Sequence, residues 1–294
     1  MEGLNINKDT AEGKVLCAMA DILEDMSTSV VDLEDSMAEV QGYLDAAASK
    51  SYDSLLQAHV ADHQEYFLRA DLDLGGVLSK TVTTDQLIDR YQSGNTDPYL
   101  VELAFQYGRY LLIASSREGC LPANLQGIWN NSDTAHCSGA YWHNINVQMN
   151  YWPAFTTNLQ ELFESYADYN EALRPVAQKN ADTYLKENNC TTMGASGENG
   201  WAVGTNCSPY RAGRLPVNDH SGPGVGAFTS LLFWDYYDFT RDETILKEHT
   251  YPAIEGMATF LSKTLKEYED GKWLVYNSAS PENADNYRTV GTAF

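Results

Sequence analysis

The chain of 294 residues is 43% hydrophobic and 20% charged, the balance of a globular protein, at a length that allows one large domain or two ordinary ones. Its 19 Lys+Arg against 41 Asp+Glu leave a formal charge of −22, which repels phosphate backbones and anionic lipid and argues against nucleic-acid or membrane-surface binding. No run approaches the roughly 18 uninterrupted apolar residues of a membrane span, so no membrane insertion is expected.

In chain order, the opening MEGLNINKDTAEGK lacks the basic start and apolar core of a secretion signal. AEGKVLCAMADILEDM and VVDLEDSMAEVQGYL then space apolar residues three and four apart with acids between them, which predicts helix. A further helix is read in SYDSLLQAHVADHQEYFLRADLDL, with Leu55, Leu56, His59, Val60, His63 and Phe67 at helical spacing and Ser51 as N-cap. Gly75-Gly76 breaks the pattern, and Thr84 is expected to cap a helix starting near Asp85. From Asp97-Pro98 a longer helix is predicted through YLVELAFQYGRYLLIASS, ending before Gly119 and Pro122. The Asn-, Ser- and Gly-rich stretch from Cys120 to Gly139 reads as loop, followed by helix from about Ile145 to Trp152, resuming near Asn158. NLQELFESYADYNEALRPVAQKNADTYLKEN continues helical, with a kink or early break expected at Pro175. Residues 190–226 form a second long polar loop. GAFTSLLFWDYYDFTRD is helix, and ETILKEHTYPAIEGMATFLSKTLKEYED is another, interrupted or bent around Pro252. WLVYNSASPEN reads as a short extended segment ending in a loop. Strand signals are otherwise sparse. Helix pairs joined by long polar loops fit an α-toroid or α-hairpin array better than a four-helix bundle with short turns.

Long loops on a helical scaffold are where sites tend to be built. The densest polar cluster is HNINVQMNYW, residues 143–152. Helical spacing puts Asn146 and Asn150 on one face, and Asn144 and Gln148 on a neighbouring one. Asn is a poor helix former, so these amides need a reason; one is that they cap and cross-link the Cys120–Gly139 loop. In SASPEN, Pro281 fixes the backbone just before Glu282, so that carboxyl can be aimed at a pocket, although a lone loop Glu is by default a solvated charge. His59 and His63 stand four apart as in zinc-binding helices, but HVADH lacks the glutamate of HExxH and a third ligand. Packing is the preferred role for both, and no metal is expected. GxGxxG, P-loop, GxSxG and metal-finger spacings do not occur, which removes nucleotide-dependent and serine-hydrolase readings and leaves no cofactor to expect. The five cysteines include no CxxC pair, so this is not a disulfide scaffold, though a Cys120–Cys137 bridge is conceivable. Nineteen Tyr and 6 Trp outnumber 9 Phe, a set that suits the CH patches and hydroxyls of a sugar ring as well as it suits core packing.

The stretch GRYLLIASSREGCLPANLQGIWNNS over 108–132, followed by NINVQMNYWP and NLQEL, resembles the central signature of glycoside hydrolase family 95. That family is chiefly bacterial α-L-fucosidases, with some members acting on α-L-galactosides. The resemblance extends back to YDSLLQAHVADHQEYFLRADLDLG and TTDQLIDRYQSGNTDPYLVELAFQYGRY. It runs forward through GWAVGTNCSP and FWDYYDFTRDETILKEHTYPAIEGMATFL to SASPEN, covering about 40–294. It implies an all-α chain: an N-terminal helical linker segment over 1–76, then a partial (α/α)6 barrel, or toroid, over 77–294. On this comparison the family's N-terminal β-sandwich domain is absent and the C-terminal part of the barrel is missing.

The same resemblance implies inverting hydrolysis of terminal α-L-fucosyl linkages, α-1,2-linked to galactose, with a fucosylated oligosaccharide or glycan as partner and no cofactor. Glu282, in the SPE motif, is the expected acid that protonates the leaving oxygen. Asn144 and Asn146, the NxN motif, are expected to hold the attacking water. An amide is a negligible base, and the family polarises this pair through an aspartate downstream of SPE. The chain reaches only to Phe294, shortly after Glu282, so the expectation is a fragment lacking that aspartate and weakly active or inactive alone. Tyr141-Trp142-His143 departs from the family's usual Tyr-Thr or Tyr-His before an apolar residue. His143, Trp129, Trp142, Trp201 and Arg117 are the candidate sugar contacts, while Trp152 is expected to pack in the core. The alternative reading is a non-catalytic or degenerate carbohydrate-binding chain of the same fold. Parents of this type are often secreted or at the cell surface; the localisation of this chain stays open.

Overall fold

The computed structural model describes residues 36–132, 134–209, 213, 221–267 and 271–275, and helices supply nearly all of their regular structure. The chain divides into two compact units, 1–62 and 63–294. In the first, α1 is helical over 36–48, and α2 (Tyr52–Phe67) begins where the Ser51 hydroxyl accepts the Ser54 N–H at 3.2 Å. That is the N-cap expected from the sequence.

In the second unit, the end of α2 is closed by a buried cation. Arg109, on α4 (Pro98–Ser115), is 1% exposed and donates to the carbonyls of Tyr66, Phe67 and Ala70 at 2.7–3.1 Å. A guanidinium there meets both the orphan carbonyls of a helix C-terminus and its partial negative charge. α3 (Thr84–Gln92) starts one residue earlier than read: the cap is Thr83, whose N–H donates to the Gln86 side chain at 3.1 Å. α4 starts as expected, with Asp97 accepting from the Tyr99 N–H at 3.0 Å and Pro98 in the first turn.

α5 (Asn146–Thr156) runs longer than its predicted end at Trp152 and passes through Pro153. After the 3-10 turn Gln160–Phe163, α6 (Glu164–Glu187) continues unbroken through Pro175, where a kink or early break was expected. α7 (Gly224–Thr240) packs against α5 and α9 (Tyr251–Thr264). The predicted interruption at Pro252 is real and begins just before it. The short α8 (Glu243–Ile245) leads into a π-helical turn over Leu246–Thr250, and Pro252 then sits in the first turn of α9. A proline without an N–H frees an upstream carbonyl, and a widened turn at that point is a common accommodation.

The core forms where α5, α6 and α7 converge on Phe163. Its ring centroid lies 5.3 Å from Phe155, 5.3 Å from Phe233 and 5.2 Å from Tyr236. Tyr151, Phe163, Tyr166 and Phe233 are all 0% exposed. The residues thus arrange as the all-α helical-hairpin array of an (α/α)-toroid segment. Trp152 is a correction: it is 45% exposed, edge-on to Phe228 at 6.4 Å, rather than in the core. Two antiparallel pairs of short strands, absent from the sequence reading except at the last, complete the described structure. β1 (Tyr141–Trp142) pairs with β2 (Asn206–Cys207), and β3 (Leu265–Glu267) with β4 (Trp273–Val275). Among the described residues no helix is long and apolar enough to cross a membrane.

Candidate active site

The NxN residues lie where β1 gives way to α5. Residues 143–145 form a turn, and Asn146 is the first residue of α5. β1 is short because its partner is a loop that crosses it only at Asn206–Cys207. His143 extends that pairing by donating its backbone N–H to the Thr205 carbonyl at 2.8 Å. The turn is therefore anchored before the helix begins.

Every polar atom of His143 is engaged. Its carbonyl accepts the Gln148 side-chain N–H at 2.7 Å, and that same amide donates to the Thr229 hydroxyl at 2.8 Å. Ring Nδ1 lies 3.0 Å from the Tyr141 carbonyl and Nε2 lies 2.8 Å from the Tyr166 hydroxyl. A carbonyl only accepts, so Nδ1 carries the hydrogen, and Nε2 of the neutral ring accepts from Tyr166. Burial pushes the imidazole down to about 4, against the opposing pull of the Tyr141 and Thr205 carbonyls. Burial likewise raises Tyr166 well above its ordinary value, so it keeps its proton to donate.

The neighbouring amide is the opposite case. Asn144 Oδ1 is buried and has no hydrogen-bond partner among the described residues. Buried carbonyl oxygens are nearly always paired, so an unpaired one beside a fully bonded residue marks a place where a donor is welcome. Gln148 and Asn150, which drew notice as unusual helical amides, hold structure instead. Gln148 ties the turn to α7, as above. Asn150 donates to the carbonyls of Ala123 and Asn124, both at 3.2 Å. Cross-linking of the Cys120–Gly139 loop, the structural explanation considered for these amides, thus applies to Asn150.

That loop carries Trp129. A cavity of about 320 Å³ lies between α4, the loop and α5, lined by Leu112, Ser115, Asn124, Gln126, Trp129 and Asn150 among others. Trp129 is 45% exposed, and its ring lies so close to Gly127 that a Cβ there would stand 2.6 Å from it, at a φ of +67°. Trp142 is half-buried beside the asparagines and donates its indole N–H to the Cys137 carbonyl at 3.2 Å. Cys120 and Cys137 are both free thiols.

The remaining candidates lie elsewhere. Trp201 is 2% exposed and donates its indole N–H to the Ala253 carbonyl at 2.9 Å, so it is a core residue in contact with α9. Arg117 places its guanidinium over the Tyr66 ring at 4.1 Å. His63 stacks on Phe67 at 5.2 Å and meets Tyr110 at 5.4 Å, the packing role read for it. Glu282 lies outside the described residues. Tyr166, Thr229 and Thr205 were not singled out in the sequence: each looks like an ordinary core or loop residue until the fold brings it to His143.

The chain was compared with known proteins. The profile of the glycosyl hydrolase family 95 catalytic domain matches residues 51–293. Alpha-L-fucosidase 2 of Arabidopsis thaliana is 35% identical over 258 residues, which is 85% of this chain and 29% of that protein. Probable alpha-fucosidase A of Aspergillus niger is 36% identical over 248 residues, 81% of this chain and 29% of its own length. The protein of the same description from Aspergillus oryzae is 40% identical over 141 residues, 47% of this chain and 20% of its own. The chain therefore spans under a third of the length of each of these curated relatives.

Proposed function

The chain belongs to glycosyl hydrolase family 95, and on that premise we propose that its residues serve the hydrolysis of terminal α-L-fucosyl linkages with inversion at the anomeric carbon. Two relatives named as fucosidases, each matching over four-fifths of the chain, support the fucoside as substrate. A neutral sugar also suits a chain of charge −22 better than any polyanion would.

One observation carries the mechanism: the Asn144 carbonyl oxygen is a buried acceptor without a partner among the described residues, next to His143, whose polar atoms are all bonded. In the proposed reaction it accepts a hydrogen bond from the attacking water, with Asn146 one position on as the second holder. Inversion needs water on the face of the sugar opposite the leaving oxygen, and a fixed acceptor pair sets that direction. Glu282 is assigned as the general acid. It protonates the glycosidic oxygen as the C–O bond breaks, while the water forms the new bond to the anomeric carbon and passes its proton to solvent, since an amide is a negligible base.

Incubation of the chain within a correctly extended parent with 2′-fucosyllactose tests this, since the 294 residues alone are expected to be weakly active or inactive. Free L-fucose is expected, appearing first as the β-anomer in the proton NMR spectrum. Glu282→Gln should lower the rate by on the order of 10²- to 10⁴-fold. Binding of the oligosaccharide by calorimetry with no release of fucose would reject the hydrolase assignment in favour of a carbohydrate-binding chain. First appearance of the α-anomer would reject inversion.

A further inference from the structure

Resting on the reading that Asn144 and Asn146 hold the water, we propose that His143 is a positioning residue, a strut that fixes how the two carboxamides face the sugar, and that Tyr166, Gln148 and Thr229 are the braces of that strut. The sequence suggested the different role of sugar contact for His143. A side chain 1% exposed, with both ring nitrogens bonded inside the protein, has no atom left to offer a hydroxyl.

The geometry explains why a strut is needed here. α5 begins at Asn146 behind Ile145, whose backbone (φ −169°, ψ −37°) is not helical and whose side chain caps nothing. The asparagine turn therefore has no cap of its own to fix it. The fixing comes from the residue before it. The His143 backbone is tied to the 199–208 loop through Thr205, and to α5 and α7 through Gln148 and Thr229. Its ring is tied to β1 through Tyr141 and to α6 through Tyr166. Residues from β1, α5, α6 and a loop thus bond His143 through its ring and its backbone, directly beside Asn144, whose buried side-chain oxygen has no partner among the described residues. Every polar atom of His143 is bonded, while Gln148 Oε1 and Asn170 Oδ1 have no partner among the described residues, and a catalytic group is only as well placed as the shell behind it.

Tyr166→Phe is the sharpest test, because it removes one hydroxyl and no volume. The side-chain amide signals of Asn144 in a 15N-labelled sample are expected to shift while the circular dichroism spectrum is retained. With 2′-fucosyllactose, kcat should fall on the order of 10- to 100-fold with KM changed by less than about twofold, since the sugar itself is untouched. His143→Asn, whose amide N–H replaces the donor to Tyr141, should retain more activity than His143→Ala. Thr229→Val breaks the same network from the other side and stands in if Tyr166→Phe loses its fold. Unmoved Asn144 signals in a folded variant, or a raised KM at unchanged kcat, would overturn the proposal. A correctly extended wild-type parent that releases no fucose, yet whose Asn144 signals shift in Tyr166→Phe, refutes the fucosidase reading while supporting the strut.

Discussion

Lowering the pH should destabilise this protein through His143. The imidazole is held at about 4 in the folded chain, against an ordinary value of 6.5. The unfolded chain therefore binds a proton that the folded one refuses throughout that interval. The sign follows: stability is highest above pH 6.5, falls as the pH drops towards 4, and stops falling on this account below that. The full gap corresponds to about 3 kcal/mol, of which about 2 kcal/mol is lost between pH 7 and pH 5. The groups on the ring, the Tyr141 carbonyl and the Tyr166 hydroxyl, are uncharged and cannot compensate an imidazolium. Two measurements check this. In NMR titrations the His143 ring signals, assigned by loss in His143→Gln, should stay at their neutral positions down to pH 5. In urea unfolding, the wild type should lose about 2 kcal/mol more than His143→Gln over pH 7 to 5. An imidazole that titrates between pH 6 and 7, or equal losses in the two proteins, would refute the reasoning.

Two further outcomes follow from single contacts. Gly200→Ala puts a Cβ 1.9 Å from the Gly256 carbonyl oxygen, at a backbone φ of +71°. Strain and overpacking together should cost about 2–5 kcal/mol, read as a lower thermal midpoint, and an unchanged midpoint would show that the loop does not approach α9 so closely. Asn150→Ala removes both bonds to the 123–124 carbonyls and should cost about 1–2 kcal/mol, with hydrogen exchange accelerating at residues 123–127 and little change along α6.

The order of helices was legible because amphipathic spacing, Asp97-Pro98 and the Gly75-Gly76 pair act locally. Pro175 shows the limit of that legibility: its local cost predicted a break, yet α6 runs through it. Leu173, Ala177 and Ala181 are buried on either side of it, and the burial of that face outweighs one lost hydrogen bond. Pro252 lacks such freedom, and the backbone widens into a π turn before it.

The candidate site divides in the same way. The amino-acid sequence alone nominated Asn144, Asn146 and Glu282 for the chemistry, through the resemblance of NxN and SPE to the family's motifs rather than through type and spacing. It also marked the four amides of 143–152 as unusual. Only the tertiary structure decided what each amide does. Asn150 spends its hydrogens on a loop, Gln148 on the His143 carbonyl, and Asn144 keeps an oxygen unpaired. It also showed His143 and Trp201, candidate sugar contacts in the sequence, to be buried residues. The reason is physical: a side chain's type states what it can bond, whereas the distant Tyr166, Thr229, Thr205 and Ala253, brought close by packing, settle which of those bonds are already made.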